Sequence, residues 1–370
     1  MSGKILPFKK SPVIGFLGHA YVLGVLTNYE ECMPWFYSNY IQLYISNVYI
    51  NLDQYRLDFF PDILMIFSGV PWLEYQSADK RALRNNNTDI NKFVMDHIDR
   101  GFYFFAYVDD FYVPDMGTYQ SRHITHDIMI YGYNPEEETF NFAGFDKEQK
   151  FQFSKISFNE FDMAFNQPVE QDKQNYVNLF RKIDNSDKCK CDLRSAKCDF
   201  DLRFVIDMLS DYLYSSNSYK KLRVLNSEEE SCGHKSQESL PQLFQAEFFQ
   251  DEGIYGIAIY EYLIKYIDLL IDGKVGQDVR PFHILWEHKK CMVMRIKYLQ
   301  YNGYMDISSP SHDACVTLQT KAEILRNAFI RYTLTEKTEA LEKMKAYLRE
   351  ISEMEQVILK NMIDELRLAL

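Results

Sequence analysis

Three side chains in this sequence have the types that nucleophilic acyl chemistry needs: Cys32, His126 and Asp146. A thiolate attacks a carbonyl, an imidazole takes and returns the proton, and a carboxylate holds the imidazole in one tautomer. His126 and Asp146 bound the stretch HDIMIYGYNPEEETFNFAGFD, where two apolar runs flank an Asn-Pro-Glu-Glu-Glu turn. Their midpoint is Glu136, inside that turn. Residues equidistant from a hairpin's centre lie opposite each other on the two strands. The spacing therefore predicts a His126–Asp146 pair. Cys32 precedes Met33 and Pro34, and then Trp35, Phe36, Tyr40, Leu43 and Tyr44 recur at helical spacing. Pro34 suits a first helical turn. Cys32 is thus expected at a helix N-terminus, where the dipole favours a thiolate. Its own backbone N–H and the Asn28 side chain are the expected oxyanion donors. The alternative reading of Cys32 is a small buried apolar residue.

Other clusters point less directly to chemistry. His123 lies three residues before His126, on the opposite face of an extended strand, and so outside the same site. Asp109, Asp110 and Asp115 with His123 match no metal motif and read as a solvated loop. Cys189, Cys191 and Cys198, with Cys232 and His234, have short spacings but match no zinc knuckle. They read as reduced cysteines in a loop, so no metal site is expected. There is no Walker A, Gly-rich dinucleotide fingerprint, G-x-S-x-G or H-E-x-x-H motif. ATP hydrolysis, nicotinamide redox chemistry and zinc proteolysis have no support, and no bound cofactor is expected.

An α+β framework must position these residues. The run PVIGFLGHAYVLGVL after Lys4, Lys9 and Lys10 is loosely like a signal peptide, but Pro12 and His19 interrupt it and no small-x-small site follows. A buried strand leading into the Cys32 helix is the expectation there, with that helix over 33–50. FVMDHIDRG (93–101) reads as a helix end stopped by Gly101, and FYFFAYVDDFYV (102–113) as a strand. The hairpin over 126–146 follows, then a strand KFQFS at 150–154. Ser157 and Glu160 form a capping box opening a helix through Phe165. Polar stretches occupy 166–200 and 226–239. Helices are expected over 254–273, 283–303 and 321–334. A last helix is expected from Thr333, capped by Glu336, with apolar residues from 341 to 366 on one face. That face suits a bundle core or a homodimer. Three regions result: a catalytic domain over 1–168, a linker or excursion over 169–240, and a helical domain over 241–370.

The net charge of -12 disfavours a nucleic-acid partner, whose phosphates need a basic surface. It is compatible with a cationic small substrate, though solubility alone explains it. Seven cysteines without regular spacing suit a reduced, cytoplasmic protein. No later segment has the apolar length of a membrane span, so no membrane partner is expected.

The order Cys, helix, His on a strand and Asp on the next strand resembles the papain-like and transglutaminase-like cysteine enzymes. The fuller run VDDFYVPDMGTYQSRHITHDIMIYGYNPEEETFNFAGFD, with KISFNEFDMAF after it, is similar to the N-terminal domain of the butirosin biosynthesis protein H-like family. The resemblance covers roughly residues 12–168. It implies a papain-like domain with an N-terminal helix and an antiparallel sheet, followed here by a mostly helical C-terminal region. It also implies an amide-forming acyltransferase that needs no ATP. The acyl group would come from the phosphopantetheine thioester of an acyl or peptidyl carrier protein and go to a small amine or diamine, in natural-product biosynthesis. Met33 and Pro34 depart from the family's small residue after the cysteine. Two other functions remain open: a peptidase, amidase or thioesterase with the same triad, and a non-catalytic helical interaction protein.

Overall fold

The protein is mixed helix and antiparallel sheet with a helical C-terminal region. In this computed structural model the described residues are 3–46, 55–60, 70–167, 175–183, 199–218 and 253–370. They form two compact units: Met1–Cys32 with Leu64–Asp192, and Met33–Ile63 with Leu193–Leu370. The chain thus crosses between units at Cys32–Met33, inside the uninterrupted 1–168 domain expected from the sequence.

The first unit is built on a seven-stranded antiparallel sheet. Its strands are β1 (Lys4–Ile5), β4 (Leu73–Asp79), β5 (Tyr103–Asp109), β6 (Thr125–Asn134), β7 (Thr139–Phe145), β8 (Phe151–Ser157) and β9 (Tyr176–Lys182). The order is β4-β9-β5-β6-β7-β8, and β1 pairs with the far end of β6. That close approach needs Gly132, because a Cβ there would lie 2.8 Å from the Lys4 carbonyl oxygen.

Adjacent residues Phe104 and Phe105 face opposite sides of the sheet. Phe105 meets Tyr21 of helix α1 (Leu17–Leu26), with ring centroids 5.7 Å apart. Phe104 meets Phe161 and Phe165 of the helix Phe158–Asn166, and Phe93 of the helix Ile90–Asp99. One sheet face is therefore covered by α1 and the other by two amphipathic helices.

All ten residues of α1 are buried. This helix replaces the strand expected before Cys32. A helix apolar all round leaves no 3.6-residue stripe in the sequence, so periodicity cannot distinguish it from a buried strand. Gly24 lets the Phe8 ring pack against it, since a Cβ would fall 2.1 Å from that ring. The Ser157–Glu160 capping box and the stop at Gly101, with φ of 85°, form as expected.

The second unit carries α2 (Met33–Ser38), a small sheet in the order β10-β2-β3 and five longer helices. The strands are β2 (Leu43–Ile45), β3 (Leu57–Phe59) and β10 (Ile254–Tyr255). The helices are α6 (Leu202–Leu213), α7 (Ile259–Ile271), α8 (Arg280–Tyr301), α9 (Ser311–Thr335) and α10 (Glu339–Arg367); α3 (Lys80–Asn85) and the two helices over Phe104, α4 and α5, complete the count in the first unit.

The helix expected over 33–50 stops at Ser38. Tyr40 has a φ of 53°, which ends the helix, and buried Arg295 donates to the carbonyls of Tyr37, Asn39 and Tyr40. Leu43 and Tyr44 then belong to β2. The helix expected from Thr333 begins later. Glu336 takes a left-handed conformation, and the Thr333 hydroxyl donates to the Ile330 carbonyl within α9 instead of capping α10. The apolar face predicted for α10 is buried from Leu341 to Leu366. Among the described residues no helix is long and apolar enough to cross a membrane.

Candidate functional site

The hairpin forms, with a bulge between Ile130 and Gly132. Its outer pairs, such as Met129↔Ala143, keep the register that would set His126 opposite Asp146. The ladder ends at that pair, and Asp146 turns away. Its carboxylate accepts from the Glu148 and Lys150 backbone N–H groups, closing the β7–β8 turn. The expected His126–Asp146 pair is therefore not made.

His126 finds its carboxylate next door. Its Nδ1 lies 3.1 Å from Asp127 Oδ1 and 3.3 Å from the Asp127 carbonyl oxygen. A proton on Nδ1 is donated to the Asp127 carbonyl oxygen, with the carboxylate beside it as the charge partner, leaving the lone pair on Nε2. Nε2 has no hydrogen-bond partner among the described residues, and the His126 side chain is 42% exposed. Tyr21 braces this strand from below. Its hydroxyl donates to the carbonyl oxygens of Ala143 (3.2 Å) and Asp127 (3.4 Å).

Two more residues from the β5 end complete the cluster. Asp110 follows β5, and its N–H donates to the Ile124 carbonyl. Asp109 accepts from His123 Nδ1 at 2.6 Å and from the Phe111 N–H at 3.1 Å. The His123 ring stacks on Phe111, with centroids 4.2 Å apart. His123 is thus fixed by a different carboxylate from the one beside His126; strand alternation does not decide this, because the strand begins only at Thr125.

Charge and burial compete here. Burial pushes the Asp110 carboxyl up to about 7, with neighbouring Asp127 and Asp109 adding to the rise and His126 opposing it. Burial also raises Asp127, against the pull of His126. For His126, burial works against the imidazolium, but the carboxylates of Asp127 and Asp110 outweigh it and raise its pKa above the ordinary value. Burial and mutual charge thus shift all three titratable groups upward from their ordinary values.

Cys32 sits elsewhere. It is 1% exposed, ends the 3-10 turn Glu30–Cys32 after α1, and belongs to no disulfide. Helix α1 runs from the Asp127 end of the sheet, touched by Tyr21, towards the Tyr103 end, where the Asn28 amide and the Tyr103 hydroxyl both donate to the Pro7 carbonyl. The next residues keep that position, for Glu31 pairs with Lys182 at 2.9 Å, beyond the Phe180↔Tyr103 pair. His126 pairs with Val108, about 17 Å along β5 from Tyr103 at some 3.3 Å per residue. Thiol and imidazole are anchored at opposite ends of β5.

The two expected oxyanion donors are also committed. The Cys32 N–H donates to the Tyr29 carbonyl at 3.1 Å. The Asn28 amide donates to the Gly24 carbonyl at 2.6 Å and to the Val25 carbonyl, finishing α1. The end of α1 nearer the cluster begins at Leu17 with Phe16 as its N-cap, and neither carries a thiol or hydroxyl.

The cluster that forms is His126, Asp127, Asp110 and Tyr21, with the Asp109–His123 pair beside Asp110. Asp127 adjoins His126 in the sequence, and Asp110 belongs to the VDD run, so both carried a signal of proximity. Among the described residues no group of three His, Cys, Asp or Glu side chains could hold a metal ion. Cys189, Cys191, Cys198, Cys232 and His234 lie outside the described residues. No protein-family model matches the chain, and no curated protein matches it.

Proposed function

We propose that the protein transfers an acyl group from a carrier-protein phosphopantetheine thioester to a small amine, with His126 as general base. The observation that carries this reading is the His126–Asp127 pair, which leaves Nε2 open on a half-exposed ring. The donor and acceptor classes rest on the resemblance of residues 12–168 to the butirosin biosynthesis protein H-like family. A papain-like identity for the first unit rests on the same resemblance, and the buried helix packed on an antiparallel sheet supports it.

The distance between Cys32 and His126 favours direct attack over an acyl-cysteine. The amine nitrogen attacks the thioester carbonyl, and Nε2 takes its proton. Asp127 stabilises the imidazolium. The C–S bond breaks, and the proton passes from Nε2 to the carrier thiolate. The thioester supplies the driving force, so no nucleotide is required.

The test is mass spectrometry of small products and intact protein, using carrier-bound acyl donor with and without amine. Amide is expected only when amine is present. His126→Ala should lower its rate about 10²–10⁴-fold, while Cys32→Ala should leave it within twofold. An acyl adduct on Cys32 would overturn direct attack. Free acid formed at one rate regardless of amine would point to a hydrolase. No turnover of any acyl donor would favour an interaction protein.

A further inference from the structure

Two of the three carboxylates at the end of β5 and β6 are already occupied. Asp127 faces His126, and Asp109 accepts from His123 and from the Phe111 N–H. Asp110 is different. The residue is only 7% exposed, yet its buried Oδ1 has no hydrogen-bond partner among the described residues. Thr125, opposite Asp109 in the ladder and one residue before His126, carries a second buried oxygen without a partner. A buried acceptor left without a donor is costly, and more so when charged. Such a group needs a donor that the described residues do not supply.

The ligand chemistry follows from the cluster. Asp109 is paired with His123 and Asp127 with His126, so Asp110 is the carboxylate without an imidazole partner, and its open oxygen is an acceptor. A primary ammonium is a cation with three donors and no acceptor. We propose that Asp110 receives the acceptor amine as its ammonium ion, Oδ1 accepting a hydrogen bond and then the first of its protons. This rests on the amine-transfer reading above and specifies how the amine is recognised.

Proton balance is complete. An ammonium brings three hydrogens. One goes to Asp110 and on to solvent, giving the neutral amine. A second goes to His126 Nε2 as the C–N bond forms, and from there to the carrier thiolate as the C–S bond breaks. The third stays on the amide. Asp110 suits the first step because burial already holds its carboxyl up to about 7. Oδ1 is covered in the structure, so binding requires side-chain rotation at Asp110 or at the half-exposed His126.

The test needs no acyl donor. The histidine ring-proton shifts of the wild-type protein are followed by NMR during titration with n-butylamine or butan-1-ol. Titration calorimetry in buffers of different ionisation enthalpy counts protons. n-Butylamine is expected to bind at least tenfold more tightly than butan-1-ol, releasing protons near pH 7. Asp110→Asn should weaken n-butylamine at least tenfold and raise the amine KM of the transfer reaction more than it lowers kcat. Equal binding of the alcohol, or unchanged amine affinity in Asp110→Asn, overturns the proposal. The amine–alcohol contrast uses wild-type protein and survives a misfolded variant. Amine binding without amide formation would refute the transfer reading alone. Amide formation with an unchanged KM in Asp110→Asn would refute this inference alone.

Discussion

Each unit contains a buried polar cluster, and the two are built in opposite ways. In the second unit, Lys289 and Glu355 are 1% and 2% exposed and lie 2.5 Å apart. The Lys289 ammonium also reaches the Tyr212 hydroxyl and His288 Nδ1, both at 3.1 Å. Glu355 accepts from Tyr260 at 2.6 Å and from Tyr212. His288 Nε2 donates to the Ile41 carbonyl. The three ammonium protons and both carboxylate oxygens are used. In the first unit, by contrast, Asp110 Oδ1 and His126 Nε2 have no partner among the described residues, and His126 meets solvent. A sealed and satisfied network holds helices in register. An open and unsatisfied one is poised to bind and to move protons.

The largest expected effect tests the sealed cluster. Lys289→Met should destabilise the protein by about 3–5 kcal/mol, because it strands the Glu355 charge in the core. The double variant Lys289→Met/Glu355→Leu should recover most of that loss in denaturant unfolding. If Lys289→Met costs under 1 kcal/mol, the network is not the sealed structural element inferred. Neither change should resemble His126→Ala, whose loss is in turnover and not in unfolding.

Acid and base should distinguish the two clusters. Burial raises Asp110 to about 7 and raises Asp127, so the folded state holds protons that the unfolded chain releases above about pH 4. His126, also raised, contributes stability below its ordinary value of 6.5 and loses it as pH rises through the folded value. All three make the first unit weaken from about pH 5 to pH 8. His288 has the opposite sign. Burial and Lys289 push it well below 6.5, so the unfolded chain binds its proton first and the second unit weakens as pH falls below about 6.5. Hydrogen exchange at pH 5 and pH 8 should show protection moving in opposite directions in the two units. Asp110→Asn should flatten only the first trend. Parallel trends would dissolve the contrast.

The smallest effect concerns the residue first expected to orient the histidine. Asp146→Ala removes two turn hydrogen bonds and should cost about 1 kcal/mol in unfolding. Amide formation should be unchanged. A loss above tenfold would mean that Asp146 reaches His126 after all.

How much was legible follows the range of each interaction. The Ser157–Glu160 capping box, the stop at Gly101 and the hairpin around Glu136 depend on residues a few positions apart, and they could be read directly. The hairpin arithmetic even had the right outer register. It failed because equal distance from the turn does not ensure contact once the ladder has ended and a carboxylate has nearer N–H groups. Cys32 does stand directly before a helix, as the spacing predicts, but distant residues cut that helix short at Ser38. Arg295 captures the carbonyls of Tyr37, Asn39 and Tyr40 around the helix end, and no local pattern near Cys32 reports that.

By itself, the sequence determined the mixed helix and antiparallel sheet, the hairpin that carries His126 and the amphipathic last helix. These follow from hydrophobic period and turn chemistry, which are local. Only the tertiary structure decided that the run before Cys32 is a helix buried on all sides, since complete burial erases the period that would reveal it. It alone separated Cys32 from His126, by running α1 from one end of the sheet to the other. It alone gave Asp127 to His126 and left Asp110 unpaired, because which carboxylate keeps a free oxygen depends on every other donor brought within reach.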